Sequence, residues 1–282
     1  MRTLTIKIER KFKLFKWLFG ENKTILNRKA PEKWEELSRK QFKKLVNLFY
    51  MQELTEHERK LKTAMVLYRL TRLNLFLFDA EQMQHLVKKC QWIFEESLTA
   101  QLIPSFKIKG KRYYGPGADL SGYVGYEFIH ADTYFMKYME NQNMEMLEKM
   151  ISVLYRPENE KLTKEEFEGD YRIPFTPYKA KQELPNIKKL PTWMKYAILM
   201  YYMGCRQGWE NLHKNLFSQE SESDAKENEG WSKIMLRIAG KEFGDYDKTV
   251  AQPIHTLFSK MDSDVKDFKE MERKNRANKN KY

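Results

Sequence analysis

The first residues of the chain alternate between apolar and polar side chains. Leu4, Ile6, Ile8 and Phe12 fall on one side of an extended chain, and only Arg10 interrupts the alternation. A period of two residues predicts a strand. A single strand is not stable in water, so this arm needs a sheet to join, either within the chain or in a neighbouring subunit.

Three helices are predicted next, each with a start signal. Ser38 and Gln41 form a capping box ahead of an apolar face, and Thr55 and Glu58 repeat the device. Asp79 can cap a third helix, which continues through Cys90 to Phe94 and places the cysteine on its apolar stripe. Apolar spacings of three and four residues predict further helices within 191–217 and 230–261.

A short hairpin is predicted between these helical regions. Its strands are Phe106–Ile108 and Arg112–Tyr114, with a turn at 109–111 that contains glycine. We expect this hairpin to be one place where the N-terminal strand can pair. Four prolines between 174 and 191 indicate an irregular connector. The predicted fold class is therefore mainly α, a helical body with a minor β element made of the N-terminal strand and this hairpin.

The basic charge of the chain is concentrated at its two ends. The formal net charge is +12 over 282 residues, but residues 1–30 hold nine Lys or Arg against two Glu, and residues 266–282 hold seven against three acids. Residues 218–229 carry five acids and one lysine, which is typical of a solvated linker. The predicted organisation is a basic N-terminal arm (1–30), a main helical domain (31–217) with a hairpin near 106–114, an acidic linker (218–229), a C-terminal helical segment (230–265) and a basic tail (266–282).

Cysteine usage and hydropathy predict a cytoplasmic protein. Cys90 and Cys205 are far apart and neither belongs to a CxxC pair, which favours a reducing compartment. No stretch of 18 apolar residues and no signal-peptide core is present, so neither a membrane span nor secretion is expected.

The strongest catalytic candidate is a weak one. His130 and Asp132 are two residues apart, but Tyr134, Phe135 and Tyr138 indicate a helix, on which positions i and i+2 point in different directions. A packed helix, with a surface histidine at its start and the aspartate in its first turn, is the preferred interpretation. The five histidines show no HxxH or HExxH spacing, so no metal ligand is predicted.

The remaining motifs do not favour an enzyme either. The glycines of GPGADLSGYVG, residues 115–125, have neither GxGxxG spacing nor a following GK[ST], and a flexible loop is preferred over a phosphate site. No GxSxG is present. We therefore predict a non-enzymatic protein with no catalytic residue, no metal and no cofactor.

Binding to nucleic acid remains an alternative. Basic ends can contact phosphates, an acidic protein or a membrane surface, or can simply aid solubility. Basic side chains beside aromatic ones are typical of single-strand readers, although a hairpin edge protected by charge has the same composition. The candidate nucleic-acid contacts are Lys111, Arg112, Tyr113, Arg273, Lys274 and Arg276.

Several phrases spread along the chain carry a resemblance to a known family. They are the N-terminal RTLTIKI, WEELS at 34–38 with Gln41-Phe42, ADTY at 131–134 with Tyr138, LYRP at 154–157, GCR at 204–206, and Trp231 with Ala239-Gly240 and Phe243-Gly244. In these phrases the chain resembles a family of poorly characterised proteins from tailed phages and prophages of Bacteroidetes. The basic connection at 10–30 and the acidic stretch at 218–229 depart from that family.

The resemblance implies a role in building a phage tail. Such proteins are encoded among tail genes near the tape-measure gene, where tail-assembly chaperones are also found, and no catalytic residue is implied. The resulting hypothesis is a chaperone-like adaptor that binds tail proteins or assembles with itself in the host cytoplasm, with retention in the virion left open. The predicted partner-binding residues lie in the arm, which we expect to become helical near Lys16: Leu4, Ile6, Ile8, Lys11, Phe12, Lys13, Lys16 and Trp17.

Overall fold

The computed structural model describes residues 2–8, 24–50, 53–72, 78–161, 169–217, 230–240 and 242–279. Over these ranges the chain is mainly α with a minor β element, which confirms the predicted fold class. The helices are α1 (Arg39–Tyr50), α2 (Glu56–Leu67), α3 (Ala80–Lys89), α4 (Trp92–Glu95), α5 (Gly125–Asn141), α6 (Met144–Leu154), α7 (Pro177–Ile187), α8 (Thr192–Leu212), α9 (Trp231–Ile238), α10 (Tyr246–Val250) and α11 (Ile254–Lys279). The strands are β1 (Arg2–Ile8), β2 (Thr24–Ala30), β3 (Ser105–Ile108), β4 (Lys111–Tyr114) and β5 (Arg156–Pro157).

The chain forms two compact units. The N-terminal unit comprises Met1–Leu102 together with Thr192–Ala197, and the C-terminal unit comprises Ile103–Pro191 together with Ile198–Tyr282. Helix α8 contributes residues to both units. This division falls inside the predicted main domain of residues 31–217, whose far boundary, the acidic linker at 218–229, lies outside the described residues.

The N-terminal strand pairs with a strand that sequence analysis did not predict. Strand β1 runs antiparallel to β2, from Arg2 opposite Ala30 to Ile8 opposite Thr24. Strands β3, β4 and β5 form a separate sheet, so the expectation that the arm joins the hairpin is wrong. We call the β1–β2 pair the ribbon. In this register Ile6 lies opposite Leu26.

The helices of the N-terminal unit begin where their capping residues predict. The Thr55 side chain accepts a hydrogen bond from the Glu58 backbone N–H, and the Thr55 backbone N–H donates to the Glu58 carboxylate. Asp79 forms the same box with Gln82. Ser38 and Gln41 form the first box, at 3.2 and 3.3 Å. These contacts satisfy backbone donors that a helix start leaves unpaired.

The buried glutamine of the first box also ties two helices together. The Gln41 amide donates to the carbonyls of Val66 and Leu67 at the end of α2, at 3.3 and 3.1 Å. Cys90 is 1% exposed, as its apolar position predicts. The third helix, however, ends at Lys89, and Phe94 lies in the separate short helix α4, where it is 38% exposed.

The predicted hairpin is present and gains a third short strand. Strand β4 pairs antiparallel with β3 and, through Tyr113 and Tyr114, with β5. On one side the ring of Phe106 stacks on both Tyr113 and Tyr155, with centroids 5.5 and 5.0 Å apart. The Tyr155 hydroxyl donates to the Ile103 carbonyl at 2.6 Å. The small sheet is therefore fixed to the C-terminal unit by aromatic packing.

Helix α5 is central to the core of the C-terminal unit. Its buried face repeats at Phe128, Phe135 and Tyr138, a spacing that suits 3.6 residues per turn. Around Phe128 lie the rings of Trp209, Trp231 and Phe258, at 5.6, 4.9 and 5.1 Å between centroids. Truncating a buried phenylalanine to alanine typically costs about 3–5 kcal/mol of unfolding free energy.

The proline-rich connector, predicted to be irregular, is partly helical. It contains α7, because Pro177 occupies the first turn, where a missing backbone donor costs nothing, and the Thr176 hydroxyl caps the helix. The predicted basic tail (266–282) begins within α11, which runs as far as Lys279. Its lysines, arginines and glutamates favour a helix even without a buried face.

Candidate functional site

The ionisable groups of the C-terminal unit converge on two acidic side chains of α5. Glu127 is 4% exposed and Asp132 is 1% exposed, although carboxylates are almost never fully buried unless they are paired. Each lies in a separate cluster of polar partners. These clusters contain the most strongly buried charges in the described part of the chain, and they are therefore candidates for an active site.

The carboxylate of Asp132 receives hydrogen bonds from three side chains. Its Oδ1 accepts from the Tyr202 hydroxyl at 3.2 Å and from Arg206 Nε at 3.0 Å. Its Oδ2 accepts from the Trp231 indole N–H at 2.8 Å. We call these four residues the Asp132 network. They tie α5 to α8 and to the first residue of α9.

The arginine of this network has further partners. The Arg206 guanidinium also pairs with Glu210 one turn later on α8 and lies over the Phe135 ring, 5.6 Å from its centroid. Burial, together with the neighbouring Asp132 charge, raises the pKa of the Tyr202 hydroxyl. Tyr202 therefore stays protonated and acts as a hydrogen-bond donor. The network is a closed set of donors and acceptors.

The second cluster pairs Glu127 with two arginines. Arg156 Nη1 lies 2.8 Å from Glu127 Oε1, and Arg172 Nη2 lies 3.5 Å from Oε2. Arg172 also makes a bidentate contact with Asp170, at 2.8 Å for each nearest pair of atoms. Burial raises the pKa of Glu127, and the two guanidinium groups oppose that shift. The guanidinium groups of Arg156 and Arg172 thus balance the carboxylates of Glu127 and Asp170.

The arginines of this cluster also complete the end of a helix. Arg156 Nη1 donates to the Val153 carbonyl at 3.2 Å, and Arg172 Nη1 donates to the Leu154 carbonyl at 3.1 Å. Both carbonyls lie in the last turn of α6, where backbone acceptors lack helical partners and a positive charge is favoured by the helix dipole. The arrangement therefore fixes α6, β5 and residues 170–173 against α5.

His130 does not form a pair with Asp132. Its ring packs edge-on against Tyr126 at 4.9 Å and against Phe175 at 5.3 Å, while the aspartate faces the network described above. Burial lowers the pKa of His130. The predicted packed helix is present as α5, but both residues lie in its second turn. His130, expected at the surface, is half-buried, and Asp132, expected in the first turn, is buried.

Nucleophilic and metal chemistry find little support in the described residues. Burial raises the pKa of the Cys90 and Cys205 thiols to about 12, which leaves them protonated near neutral pH. Within the described ranges, no three side chains of His, Cys, Asp or Glu are grouped so that they could hold a metal ion.

The glycine-rich loop makes internal hydrogen bonds. The Tyr201 hydroxyl donates to the Gly117 carbonyl at 2.5 Å and accepts from the Leu120 backbone at 3.0 Å. The Gly125 N–H donates to the Gln252 carbonyl at 3.0 Å. These amides are committed to internal contacts, so they do not form the cradle of donors that a phosphate needs.

An open groove of about 730 Å³ lies in the N-terminal unit. Trp34 and Trp92 meet edge to face at one side of it, with centroids 5.5 Å apart, and the Trp34 indole donates to the Glu96 carbonyl. The charged residues around it are mixed in sign, with lysines at 33, 88 and 89 and glutamates at 32, 35, 95 and 96. This mixture does not select one class of ligand.

The six predicted nucleic-acid contacts are divided between two places. On β4, Tyr113 is 0% exposed and donates to Glu183, and Lys111 pairs with the same carboxylate, so this tyrosine has no open face for a base. Arg112 is exposed beside the Tyr114 hydroxyl. The other three, Arg273, Lys274 and Arg276, are exposed on α11.

The predicted partner-binding residues lie partly beyond the description. Leu4, Ile6 and Ile8 belong to β1 of the ribbon. The other five predicted residues, Lys11, Phe12, Lys13, Lys16 and Trp17, lie outside the described residues.

Comparison with known proteins gives no assignment. No protein-family model, no curated protein and no solved structure matches this chain. Among the described helices, none combines the length and apolar composition needed to span a membrane.

Sequence analysis missed the role of the Asp132 network, although a signal was present. Asp132 lies four residues after Phe128 and three before Phe135, so it occupies the apolar face of its helix. A charge at such a position predicts a buried partner. Asp132, Arg206 and Trp231 each belong to a phrase that carries the phage-protein resemblance, and in the structure they meet at one point.

Proposed function

We propose that this chain is a non-enzymatic phage tail-assembly or virion-associated protein, a chaperone-like adaptor that binds tail components. The resemblance described above supports the link to tails. The buried ionisable groups are compatible with a binding role, because the two clusters on α5 hold helices together. The ribbon supports binding most directly.

The ribbon is the observation that carries the proposal. Within the described residues it has two strands and no third one, so each strand has an outer edge. Such edges present backbone N–H and C=O groups that readily pair with another chain, and an isolated two-stranded sheet is only marginally stable. A strand or a sheet edge from a partner would pair with these backbone groups and would stabilise the ribbon.

The charge of the ribbon indicates which strand it would accept. The charged residues of the ribbon are all basic: Arg2, Lys7, Arg28 and Lys29. A second ribbon of the same charge would be repelled at close approach, whereas an extended segment that carries acidic side chains would be attracted. A tail protein with such a segment is therefore the favoured partner, and self-assembly through the same edge is the less favoured one.

The test is co-expression of the whole chain with the tail proteins of its own phage, followed by affinity capture. The wild-type chain should retain one tail protein through washing. Replacing both Ile6 and Ile8 by proline removes two backbone donors on the same side of β1, and should weaken capture strongly. Replacing both by threonine keeps strand propensity and should weaken it less.

A second pair of substitutions tests the other side of β1, since one side of this strand pairs with β2 and the other is its outer edge. Thr5 and Lys7 direct their N–H groups to the side opposite that of Ile6 and Ile8, because successive residues alternate along a strand. Proline at both positions tests that other side. If all three variants capture the tail protein as well as the wild type does, the ribbon is not the binding surface. If the wild type captures no tail protein, the proposed function is wrong.

Nucleic-acid binding through the basic ends is the alternative function. One observation favours it, the exposure of Arg273, Lys274 and Arg276 along one helix. On β4, the burial of Tyr113 removes the aromatic platform proposed beside Lys111 and Arg112. A steep fall of affinity with salt, as counterions return to the phosphates, would identify this function.

A further inference from the structure

The hairpin of β3 and β4 holds two basic side chains directly across from each other. In the antiparallel register Lys107 of β3 lies opposite Arg112 of β4, and both residues are exposed. Like charges at directly opposite positions of a strand pair are destabilising. The hairpin therefore contains a repulsion that an anion bound at this place would relieve.

A second pair of like charges lies at the tip of the same hairpin. The turn is held near the end of α7 by Glu183, which pairs with Lys111 and accepts from the Tyr113 hydroxyl. Lys109 of the turn and Lys189, which follows α7, are both exposed there. A hydrogen bond with Lys109, followed by desolvation and the repulsion between the two charges, lowers the pKa of Lys189. Lys111 is neutralised by Glu183, but Lys109 and Lys189 are juxtaposed.

Protection of a sheet edge does not account for these pairs. Lysine on an edge strand discourages pairing with other chains, and β3 is an edge strand of its sheet. However, Arg112 lies on the central strand β4, and Lys189 belongs to no strand. Each of the two repulsions thus involves a charge that protects no edge.

An exposed aromatic ring lies beside the basic side chains. Tyr114 is two residues after Arg112 on β4, so it shares a face of the sheet with Arg112 and Lys107. The Arg112 guanidinium donates to the Tyr114 hydroxyl at 3.1 Å. The Tyr171 ring stacks on Tyr114 with centroids 5.1 Å apart, and Tyr171 is 48% exposed. We call these four residues, together with Lys109 and Lys189, the hairpin patch.

Nearby acidic residues do not neutralise the hairpin patch. The Asp170 carboxylate is held by Arg172, and residues 160 and 161 carry opposite charges. Glu158 accepts a hydrogen bond from the Tyr114 hydroxyl at 3.3 Å. One carboxylate is therefore placed beside four positive side chains, and the patch keeps a net positive charge.

The combination of charge and ring selects one class of ligand. Inorganic phosphate or a lipid headgroup would neutralise the basic side chains but would leave the Tyr171 ring in water. Duplex nucleic acid keeps its bases stacked on one another inside the helix. A single strand supplies both phosphates for a basic surface and unpaired bases that stack on aromatic rings.

We propose that the hairpin patch binds single-stranded nucleic acid, with phosphates at its basic side chains and a base stacked on the exposed Tyr171 ring. The patch lies in the C-terminal unit and the ribbon in the N-terminal unit, so the site does not rest on the proposed function. It also differs from the alternative function, because it uses no residue of the basic ends.

The binding test uses the whole chain and two labelled probes of equal charge. One is an oligothymidylate of about 12 nucleotides, a length that one single-strand-binding domain typically covers. The other carries the same number of phosphates on abasic deoxyribose, so it has the charge without the bases. Fluorescence anisotropy at low salt should show that the oligothymidylate binds about ten-fold more tightly, because a stacked base contributes roughly that factor.

Lysine variants test the phosphate contacts. Replacing Lys107 and Lys189 by glutamine should lower the slope of log affinity against log salt by about 1.4, since each phosphate contact to a single strand contributes about 0.7. The replacement also removes one member of each like-charge pair, so the unfolding free energy in urea should be no lower than that of the wild type. The control of equal charge replaces Lys137 and Lys214, which are exposed elsewhere on the unit, and should keep the wild-type slope.

Tyrosine variants test the stacking of a base. Tyr171→Ser should remove most of the preference for the oligothymidylate over the abasic probe, whereas Tyr171→Phe keeps an aromatic ring and should keep the preference. Tyr178→Ser, at a position of α7 that is 70% exposed, removes a ring from outside the patch and should bind as the wild type does. Circular dichroism should show the same helix content in all these proteins.

Several outcomes would overturn the proposed site. Equal binding of the two probes by the wild type, or a preference that Tyr171→Ser retains, shows that no base stacks there. An unchanged salt slope in the double lysine variant shows that phosphates bind elsewhere. If only replacement of Arg273, Lys274 and Arg276 reduces binding, the contacts belong to the basic end of α11 and the alternative function is favoured.

Two further probes and one comparison complete the test. Binding of polyglutamate, or of vesicles of phosphatidylserine and phosphatidylcholine, in place of the oligothymidylate would assign the patch to an acidic protein or to a membrane and would overturn the inference. Failure to capture any tail protein would contradict the proposed function but leave the oligothymidylate result standing. Loss of oligothymidylate binding in the variants with unchanged tail-protein capture would support both.

Discussion

The Trp231 indole N–H donates a hydrogen bond of 2.8 Å to Oδ2 of Asp132, which lies 99 residues earlier in the chain. Through this contact the first residue of α9 is fixed to the second turn of α5. Asp132 is at the same time the acceptor for Tyr202 and Arg206 of α8. One buried carboxylate therefore determines how three helices of the C-terminal unit meet.

Removing that carboxylate should destabilise the chain strongly. Asp132→Ala leaves the Arg206 charge and two neutral donors without their acceptor, and breaking a buried ion pair in this way typically costs about 3–5 kcal/mol of unfolding free energy. Trp231→Phe removes one donor to a charged acceptor and should cost about 1.5–3 kcal/mol. Urea unfolding followed by circular dichroism measures both. A loss below about 1 kcal/mol for Asp132→Ala would show that the network is not structural.

A substitution at Gly125 tests the packing of α5 against the C-terminal helices. A Cβ atom there would lie 2.6 Å from Leu257 Cδ1 and 3.2 Å from the Val250 carbonyl oxygen. Gly125→Ala should therefore cost about 1–3 kcal/mol, as overpacking of a core does. Gly230→Ala is the control, because a Cβ atom at Gly230 meets nothing within 4 Å. Equal stability of the two variants in thermal unfolding would contradict the close approach.

Acid should destabilise the C-terminal unit through His213. This residue is 4% exposed, its ring packs against Phe258 at 5.8 Å, and its Nε2 has no hydrogen-bond partner among the described residues. Burial lowers its pKa, while Asp262 acts to raise it and His255 to lower it further. Because the folded-state pKa of His213 is below the unfolded value of about 6.5, its contribution to the unfolding free energy is fully present above pH 6.5. This contribution is lost as the pH falls through the folded-state pKa.

The measurement is the unfolding free energy at a series of pH values from neutral to acid. His213→Gln keeps a polar side chain of similar size but cannot titrate, so its stability should fall less steeply than that of the wild type below about pH 6.5. His85→Gln, which removes one histidine from an exposed position, is the control variant. Parallel profiles for all three proteins would show that His213 does not titrate between the folded and unfolded states.

Local sequence predicted the helices better than it predicted their partners. The capping boxes at Thr55 and Asp79 are formed by residues three apart, so their signal is contained in the sequence itself. Strand β2 was missed because TILNRKA does not separate apolar from polar positions and forms only with β1 as its partner. Helix α7 was missed because it contains Pro185 in its interior, where proline usually breaks a helix.

The clusters on α5 show why the site could not be derived from the sequence. Asp132 meets residues 70, 74 and 99 positions away, and no local pattern encodes such pairings. The sequence does show that Asp132 lies on an apolar face, which predicts some buried partner. It does not show which arginine or which indole supplies the hydrogen bond, because that choice depends on the packing of α8 and α9.

Salt dependence separates the two candidate functions. Replacing Arg273, Lys274 and Arg276 by glutamine should leave capture of a tail protein through the ribbon unchanged, while any affinity for single-stranded DNA or RNA should fall because phosphate contacts are lost. If nucleic acid is not the partner, the affinity of the wild type for nucleic acid should depend only weakly on salt between 50 and 200 mM. Each phosphate contact adds about 0.9 to the slope of log affinity against log salt for duplex DNA. A slope of about 3 or more that the variant loses would favour the alternative function.

Amide hydrogen exchange on the complex with a captured tail protein tests the central claim most directly. If a strand of the partner adds to the ribbon, the outward-directed amides of one strand, β1 or β2, should become protected at alternating positions, because successive N–H groups point to opposite sides. Amides in α3, a helix of the same unit, serve as the internal reference and should exchange at unchanged rates. Protection confined to alternate residues within Arg2–Ile8 or Thr24–Ala30 is the predicted result, and unchanged exchange throughout both strands in the complex would contradict assembly through the ribbon.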